Sequence, residues 1–308
     1  MIAPLFRADH RETPSWVLIG AMLMSFLVAQ YHHRFTVDPI RAAPAMAAVT
    51  ALALALAIGK YTARPRLVAG ARAFLQMTLF TVLGVVLAYA LAANAGQLWD
   101  ARLAAADRAI GFNWPVVLAL LDKSPPVIWL LGLAYHSLTL QMIVVIVALS
   151  GMGKFDTLRT MVCAAILSGF VTILISGLTP AMGNLFDPSR YAHLWPSIAW
   201  LEQGLISGLR DGSLRVLDLT MLMGIVSFPS FHATLAAIFI WAFGAMPRLA
   251  VPGRVWAVLT IVATPVFGGH YGVDVIMGLF LAPPAIIASR HITRRRRAPH
   301  LMDSALPA

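Results

Sequence analysis

The charged residues of the chain fall in clusters, and between them lie eight runs free of Asp, Glu, Lys and Arg: residues 13–31, 42–59, 73–99, 124–153, 160–186, 219–247, 255–269 and 275–289. A bilayer core of about 30 Å takes about 20 helical residues to cross, so the first six runs predict membrane-spanning helices. The last two are shorter. Between them stand His270-Tyr271-Gly272-Val273-Asp274, so if both runs are spans, His270 and Asp274 lie below the membrane surface. The expected fold class is all-α, a polytopic membrane protein with about eight transmembrane helices.

Composition agrees. The chain is 59% hydrophobic and 12% charged, far from the roughly 25% charged residues of an ordinary soluble domain. The net charge of +10 suggests nucleic acid only until the basic residues are placed, for they sit between the apolar runs. With eight spans and an internal N-terminus, Arg7 and Arg11, then Lys60, Arg64, Arg66 and Arg72, then Lys154 and Arg159, then Arg248 and Arg254, then Arg290 and Arg294 to Arg297 share one side. That bias predicts cytoplasmic termini in a cytoplasmic (inner) membrane protein. The basic tail then reads as a topological anchor, and no nucleic-acid partner is expected. Asp9 and Glu12 spoil a basic leader region and no A-x-A-like cleavage site follows, so the first span reads as a retained helix. The single Cys163 lies inside an apolar run, which excludes an intramolecular disulfide and a cysteine zinc site.

Two segments on the opposite side interrupt the rhythm. Residues 97–125 hold Trp99, Asp100, Arg102, Asp107, Arg108 and Trp114; they read as an interfacial helix with aromatic anchors whose four charges form a surface ion-pair cluster. Residues 187–228 form the largest polar insertion, with Arg190, Arg210 and Arg215. The organisation expected is an N-terminal hairpin and loop over 1–72, a membrane core over 73–290 carrying the insertion 187–228, and a basic tail over 291–308.

Ionisable groups inside a membrane are costly and ask for an explanation. His232, near the start of the sixth run, and His270 with Asp274 all fall on the external side. His270 and Asp274 are four residues apart, so a helix begun by residue 270 stacks them on one face. The carboxylate then holds one imidazole nitrogen and leaves the other as nucleophile or base. His232 follows Ser227-Phe228-Pro229-Ser230-Phe231, a helix start whose free N–H groups attract an anion. Gly268 and Gly269 let the backbone turn closely before His270. Two histidines, one carboxylate and an anion site suit phosphoryl transfer with no metal and no cofactor.

Phe228-Pro229-Ser230-Phe231-His232 and Gly269-His270-Tyr271-Gly272-Val273-Asp274 resemble the second and third signature motifs of the type 2 phosphatidic acid phosphatase and haloperoxidase superfamily. With a large residue before the first histidine they are most similar to its inositol phosphorylceramide synthase (inositolphosphotransferase) branch, as are Asp107-Arg108-Ala109-Ile110-Gly111-Phe112 and Tyr135-His136-Ser137. The resemblance implies a helical core around the motifs, catalysis by His270 as nucleophile through a phosphohistidine, Asp274 orienting it, and His232 protonating the leaving oxygen. Ser230 and the backbone at Phe231 would hold phosphate oxygens, and His136 is a further candidate contact.

The departures bear on the substrate. The phosphatases of that superfamily have glycine where Phe231 stands and Ser-Arg where Ala263 and Thr264 stand, and their first motif, a lysine followed after six residues by Arg-Pro, is missing: Lys60 and Arg64-Pro65 have the wrong spacing and side. A cation-poor pocket suits a phosphodiester or headgroup-transfer substrate, unless Arg215 first, then Arg190 or Arg210, folds back to supply charge. The expected protein is a lipid phosphotransferase acting on a membrane lipid at the external face, with a lipid alcohol as acceptor. A lipid phosphate phosphatase using the same residues is the alternative. Of other classes, a lipid-linked glycosyltransferase would rest on Asp38 and a transporter on a His270-Asp274 proton relay.

Overall fold

The computed structural model describes residues 11–93 and 96–293; Arg7, Asp9 and the arginines at 294–297 lie outside the described residues. The described residues form twelve α-helices: α1 (Thr13–His33), α2 (Pro39–Tyr61), α3 (Pro65–Ala92), α4 (Asp100–Ala109), α5 (Trp114–Asp122), α6 (Pro125–His136), α7 (Leu138–Gly151), α8 (Phe155–Leu178), α9 (Ile198–Asp211), α10 (Phe231–Phe243), α11 (Ala250–Ala263) and α12 (Gly272–Thr293). Among the described residues six stretches are long and apolar enough to cross a membrane: α1, α2, α3, α8, α11 with the π-turn after it, and α12. The pairs α4–α5 and α6–α7 are bent by 79° and 54°, and counting each as one broken span raises the number to eight. The chain is a multi-pass helical membrane protein.

The run 219–247 does not form one span. Only Phe231–Phe243 is helical, about 20 Å at 1.5 Å per residue, and residues 219–230 lead into it as irregular chain. Pro229 is the reason: it disfavours helix at the residue before it, and Ser230 then caps α10 by accepting from the Ala233 N–H at 3.4 Å. The start of α10 is thereby recessed within the bundle.

Helix α8 is the hub, with Met161 to Ile166 all at most 1% exposed; α1, α3, α7, α10 and α12 pack around it. Residues such as Leu54, Ile58, Leu133, Val147, Leu178 and Phe280 point outward in the open, an apolar belt that only lipid can cover without penalty. One end of the bundle is fixed by Glu12, which is buried and accepts from Arg72 at 2.7 Å and Arg159 at 2.8 Å, joining the starts of α1, α3 and α8. At the other end a two-residue parallel pair, Thr36–Val37 with Val216–Leu217, ties the α1–α2 turn to the chain entering the α10 region. Arg41 and Asp218 pair beside it. Asp38 there accepts from the Ile40 and Arg41 N–H groups, so its carboxylate serves as the cap of α2.

Helices α10 and α12 approach unusually closely. A Cβ at Gly278 would lie 2.3 Å from the Ser230 carbonyl oxygen, and Thr234 Oγ1 bridges the helices by bonding the Ser230 and Gly278 carbonyls. Gly278→Ala is therefore expected to destabilise the protein by about 1–3 kcal/mol, as overpacking does. It is also expected to lower activity, because the helix shift it forces carries His232 away from the His270 loop. Thermal unfolding of detergent-solubilised protein and an activity assay check both parts.

Candidate active site

His232 sits in the first turn of α10, and His270 in the turn just before α12. Their ring centroids are 6.3 Å apart, a spacing that brackets one phosphoryl group at near-attack distances of about 3–3.5 Å. Helix α12 begins at Gly272, two residues later than a helical stacking of His270 on Asp274 requires, so the pair is made by a turn and not by a helix face. It forms nonetheless: His270 Nδ1 lies 3.4 Å from Asp274 Oδ2 and 3.0 Å from the Ser227 carbonyl oxygen. A carbonyl can only accept, so Nδ1 carries the proton, and Nε2 keeps its lone pair.

Asp274 is fully buried. Its Oδ2 also accepts from the Ser227 hydroxyl and the Tyr271 N–H, each at 2.9 Å, while Oδ1 has no partner among the described residues. The two motifs are further joined by the backbone, Ser230 N–H donating to the Asp274 carbonyl at 2.9 Å. Thus the segment before α10 and the segment before α12 are one hydrogen-bonded unit, and Ser227, not singled out in the sequence, is the residue that couples them.

The loop carrying His270 is held from outside by two aspartates. Asp107, 1% exposed, accepts from the Gly272 and Val273 N–H groups at 2.8 Å and from Trp114 Nε1 at 2.6 Å, capping α12. Asp100 accepts from the Met182 and Gly183 N–H groups and from the Tyr271 hydroxyl at 3.0 Å. The reading of Asp100, Arg102, Asp107 and Arg108 as a surface ion-pair cluster is corrected accordingly. The aspartates turn inward and satisfy backbone donors, whereas Arg102 and Arg108 stay exposed, Arg102 over the Trp99 ring. Gly269 adopts φ +72°, and a Cβ there would lie 2.5 Å from Ala199, so the loop needs glycine both for its left-handed backbone and for contact with the start of α9.

Tyr135 forms the floor. Its ring stacks on His232 at 4.7 Å and 15°, and a Cβ on Gly268 would meet both His270 Cδ2 and the Tyr135 hydroxyl within 3 Å. His136, the sequence candidate beside it, is exposed at the α6–α7 bend and faces Phe267 with centroids 6.5 Å apart. Phe231 packs on Phe80 at 5.5 Å. With Gly84, Gly169 and Thr172 they line a cavity of about 130 Å³ between α3 and α8 that reaches His232 and has exposed Thr81 at its edge.

The structure brings His232, His270, Asp274, Ser230 and Phe231 together and does not bring the arginines to them. Arg215 donates to the Leu209 and Leu214 carbonyls at 2.8 Å and lies over the Phe35 ring. Arg190 is exposed, pairs with Asp187 at 3.5 Å, and borders with Arg108 a separate open groove of about 860 Å³. Arg210 donates to the Gly96 carbonyl. Among the described residues no arginine or lysine lines the cavity at His232. Among the described residues no cluster of three or more His, Cys, Asp or Glu could hold a metal ion.

The profile of the PAP2 superfamily matches residues 101–288, the stretch that contains both histidine motifs, Asp107 and the aromatic floor. The chain belongs to the PAP2 superfamily, and a lipid phosphatase or phosphotransferase type of function follows from that membership. Neither the curated proteins nor the solved structures gave a match.

Proposed function

We propose that the protein is a lipid phosphotransferase that works through His270 at the external face of a cytoplasmic membrane. The observation that carries this reading is the state of His270: its Nδ1–H is engaged by the Ser227 carbonyl and Asp274, so Nε2 is free to attack, with His232 opposite. In the first half-reaction Nε2 bonds to phosphorus, the bond from phosphorus to the leaving oxygen breaks, and His232 gives that oxygen a proton. In the second, His232 takes the proton of an acceptor hydroxyl, the new oxygen–phosphorus bond forms, and the phosphorus–nitrogen bond breaks. Asp274 stabilises the imidazolium character that His270 acquires.

The substrate's charge meets the N-terminus of α10. Ser230 caps the Ala233 N–H, which leaves the first N–H groups of the helix, at Phe231 and His232, for phosphate oxygens. A helix terminus with no arginine beside it suits one negative charge better than two. That favours a diester lipid over a phosphomonoester, and transfer over hydrolysis. The apolar cavity between α3 and α8 gives a lipid a lateral path to His232, and the short α10 sets the reacting centre below the surface.

Purified protein in mixed micelles tests this. A diester lipid with a hydroxylated lipid acceptor is expected to give His270-dependent headgroup transfer faster than phosphate is released from phosphatidic acid or polyprenyl diphosphate. Rapid His270-dependent phosphate release without transfer would make water the acceptor and the protein a lipid phosphate phosphatase. Activity that survives both His232→Ala and His270→Ala, at unchanged protein levels, would overturn either form.

A further inference from the structure

Helix α9, in the insertion between the two halves of the site, carries a carboxyl that no part of the reaction above uses. Glu202 is 4% exposed, and its Oε1 has no hydrogen-bond partner among the described residues. Its position is set by the first turn of α9: Ser197 and Ala199 pack on Gly269, the residue before His270, and Glu202 follows Ala199 by three residues, on the same side of the helix. Helix α9 packs on α3 and on the turn Thr264–Gly268 that leads into Gly269. Tyr135 is the ring stacked on His232, and its hydroxyl reaches the Gly268–His270 turn. Glu202 thus stands on the helix that fills the space between α3 and the His270 loop.

A buried carboxylate without a cation is expensive, and leucine would fill a comparable volume with no such cost. The titratable group at the outer end of α3, on which α9 packs, is Tyr89, and past Gly269 stands His270; no ion pair among the described residues includes Glu202. Burial pushes the Glu202 carboxyl up to about 8, so at neutral pH it holds its proton. In that form it neither repels a phosphate nor needs a counter-ion, and it offers one O–H donor.

We propose that Glu202 is a substrate-contacting residue of this site, a carboxylic acid that donates a hydrogen bond to an oxygen of the lipid's phosphate or of its headgroup. In a pocket without arginine it supplies a donor that adds no positive charge, which matches a substrate of low charge. This rests on the lipid phosphotransferase reading and names a contact within it. Ionisation of Glu202 removes the donor and puts a negative charge where an anion must bind, so binding weakens as pH rises through the range in which the free protein loses that proton.

The test uses the full-length detergent-solubilised protein with Glu202→Gln and Glu202→Leu, and compares phosphatidic acid with a diester lipid bearing a hydroxylated headgroup. Glutamine keeps a neutral donor. It is expected to hold KM and kcat within about threefold of the parent at pH 7 and to lose less kcat/KM than the parent as pH rises to 9; limbs set by the histidines persist in both. Leucine is expected to raise KM by about 10- to 100-fold with kcat nearly unchanged, the signature of lost binding shared by ground and transition states. A rise on both lipids assigns the contact to phosphate, and a rise on the diester alone assigns it to the headgroup. An unchanged KM in Glu202→Leu would overturn the proposal, as would a pH profile of Glu202→Gln that superimposes on the parent's. If leucine prevents folding, the glutamine profile still decides. Activity in His270→Ala would instead strike at the phosphotransferase reading itself.

Discussion

His270→Ala is expected to lower kcat by at least about 10⁴-fold, the scale of loss when a covalent nucleophile is removed. The variant is expected to fold. The imidazole contributes one donor to the Ser227 carbonyl and to Asp274 Oδ2, and Asp274 retains the Ser227 hydroxyl and the Tyr271 N–H. Loss of one such contact costs about 1–3 kcal/mol, which thermal unfolding in detergent can measure beside the rate. His232→Ala is the comparison: a group acting only as acid and base is worth about 10²–10⁴, so its loss is expected to be smaller and partly recovered with substrates whose leaving group needs no proton. A His270→Ala variant that is folded and retains more than a hundredth of the rate would show that nucleophilic attack occurs elsewhere.

Asp274→Asn is expected to lower kcat by about 10²–10⁴ while leaving KM within a few fold. The substitution is chosen for what it keeps. The amide oxygen can take the place of Oδ2 and accept from Ser227, Tyr271 and His270, and the amide nitrogen takes the place of Oδ1, which has no partner among the described residues. Geometry is thus largely retained and charge is lost, so the stabilisation of His270 as it becomes cationic disappears. Steady-state kinetics separate the cases: an equal fall in kcat and kcat/KM marks an interaction made in the transition state. A large rise in KM with kcat preserved would instead mean that Asp274 only shapes the binding site.

The sequence pointed to the histidines and Asp274 because each is a polar group in an apolar run, and the cost of burying it there demands a use. The same logic misread Asp100 and Asp107. Flanked by arginines two residues and one residue away, they look like solvated charges, and their true partners, Tyr271 and Gly272, stand 171 and 165 residues further on. Ser227 escaped notice for the same reason, being one of two serines in a helix-start motif whose partner lies 47 residues away. Tyr135 was passed over for its neighbour because a tyrosine in an apolar span carries no anomaly, yet it is the ring under His232, while His136 is exposed at the bend. Hydropathy drew the sixth span through residues 219–230, which lack charge but, with Pro229 and Gly224 among them, form irregular chain. Glu202 was not singled out in the insertion, because its burial comes from the packing of α9 on Gly269, which no local pattern records.

The central claim is a covalent bond between His270 and phosphorus, and the most direct measurement is to trap it. Protein mixed with radiolabelled or mass-tagged lipid substrate, quenched in alkali and digested, is expected to yield a phosphorus adduct on the peptide bearing His270. The adduct should be stable to base and labile to acid, as phosphohistidine is, and absent from His270→Ala. It should form in step with turnover. An active preparation that yields no adduct under rapid quench, or an adduct on another residue that persists in His270→Ala, would contradict the account.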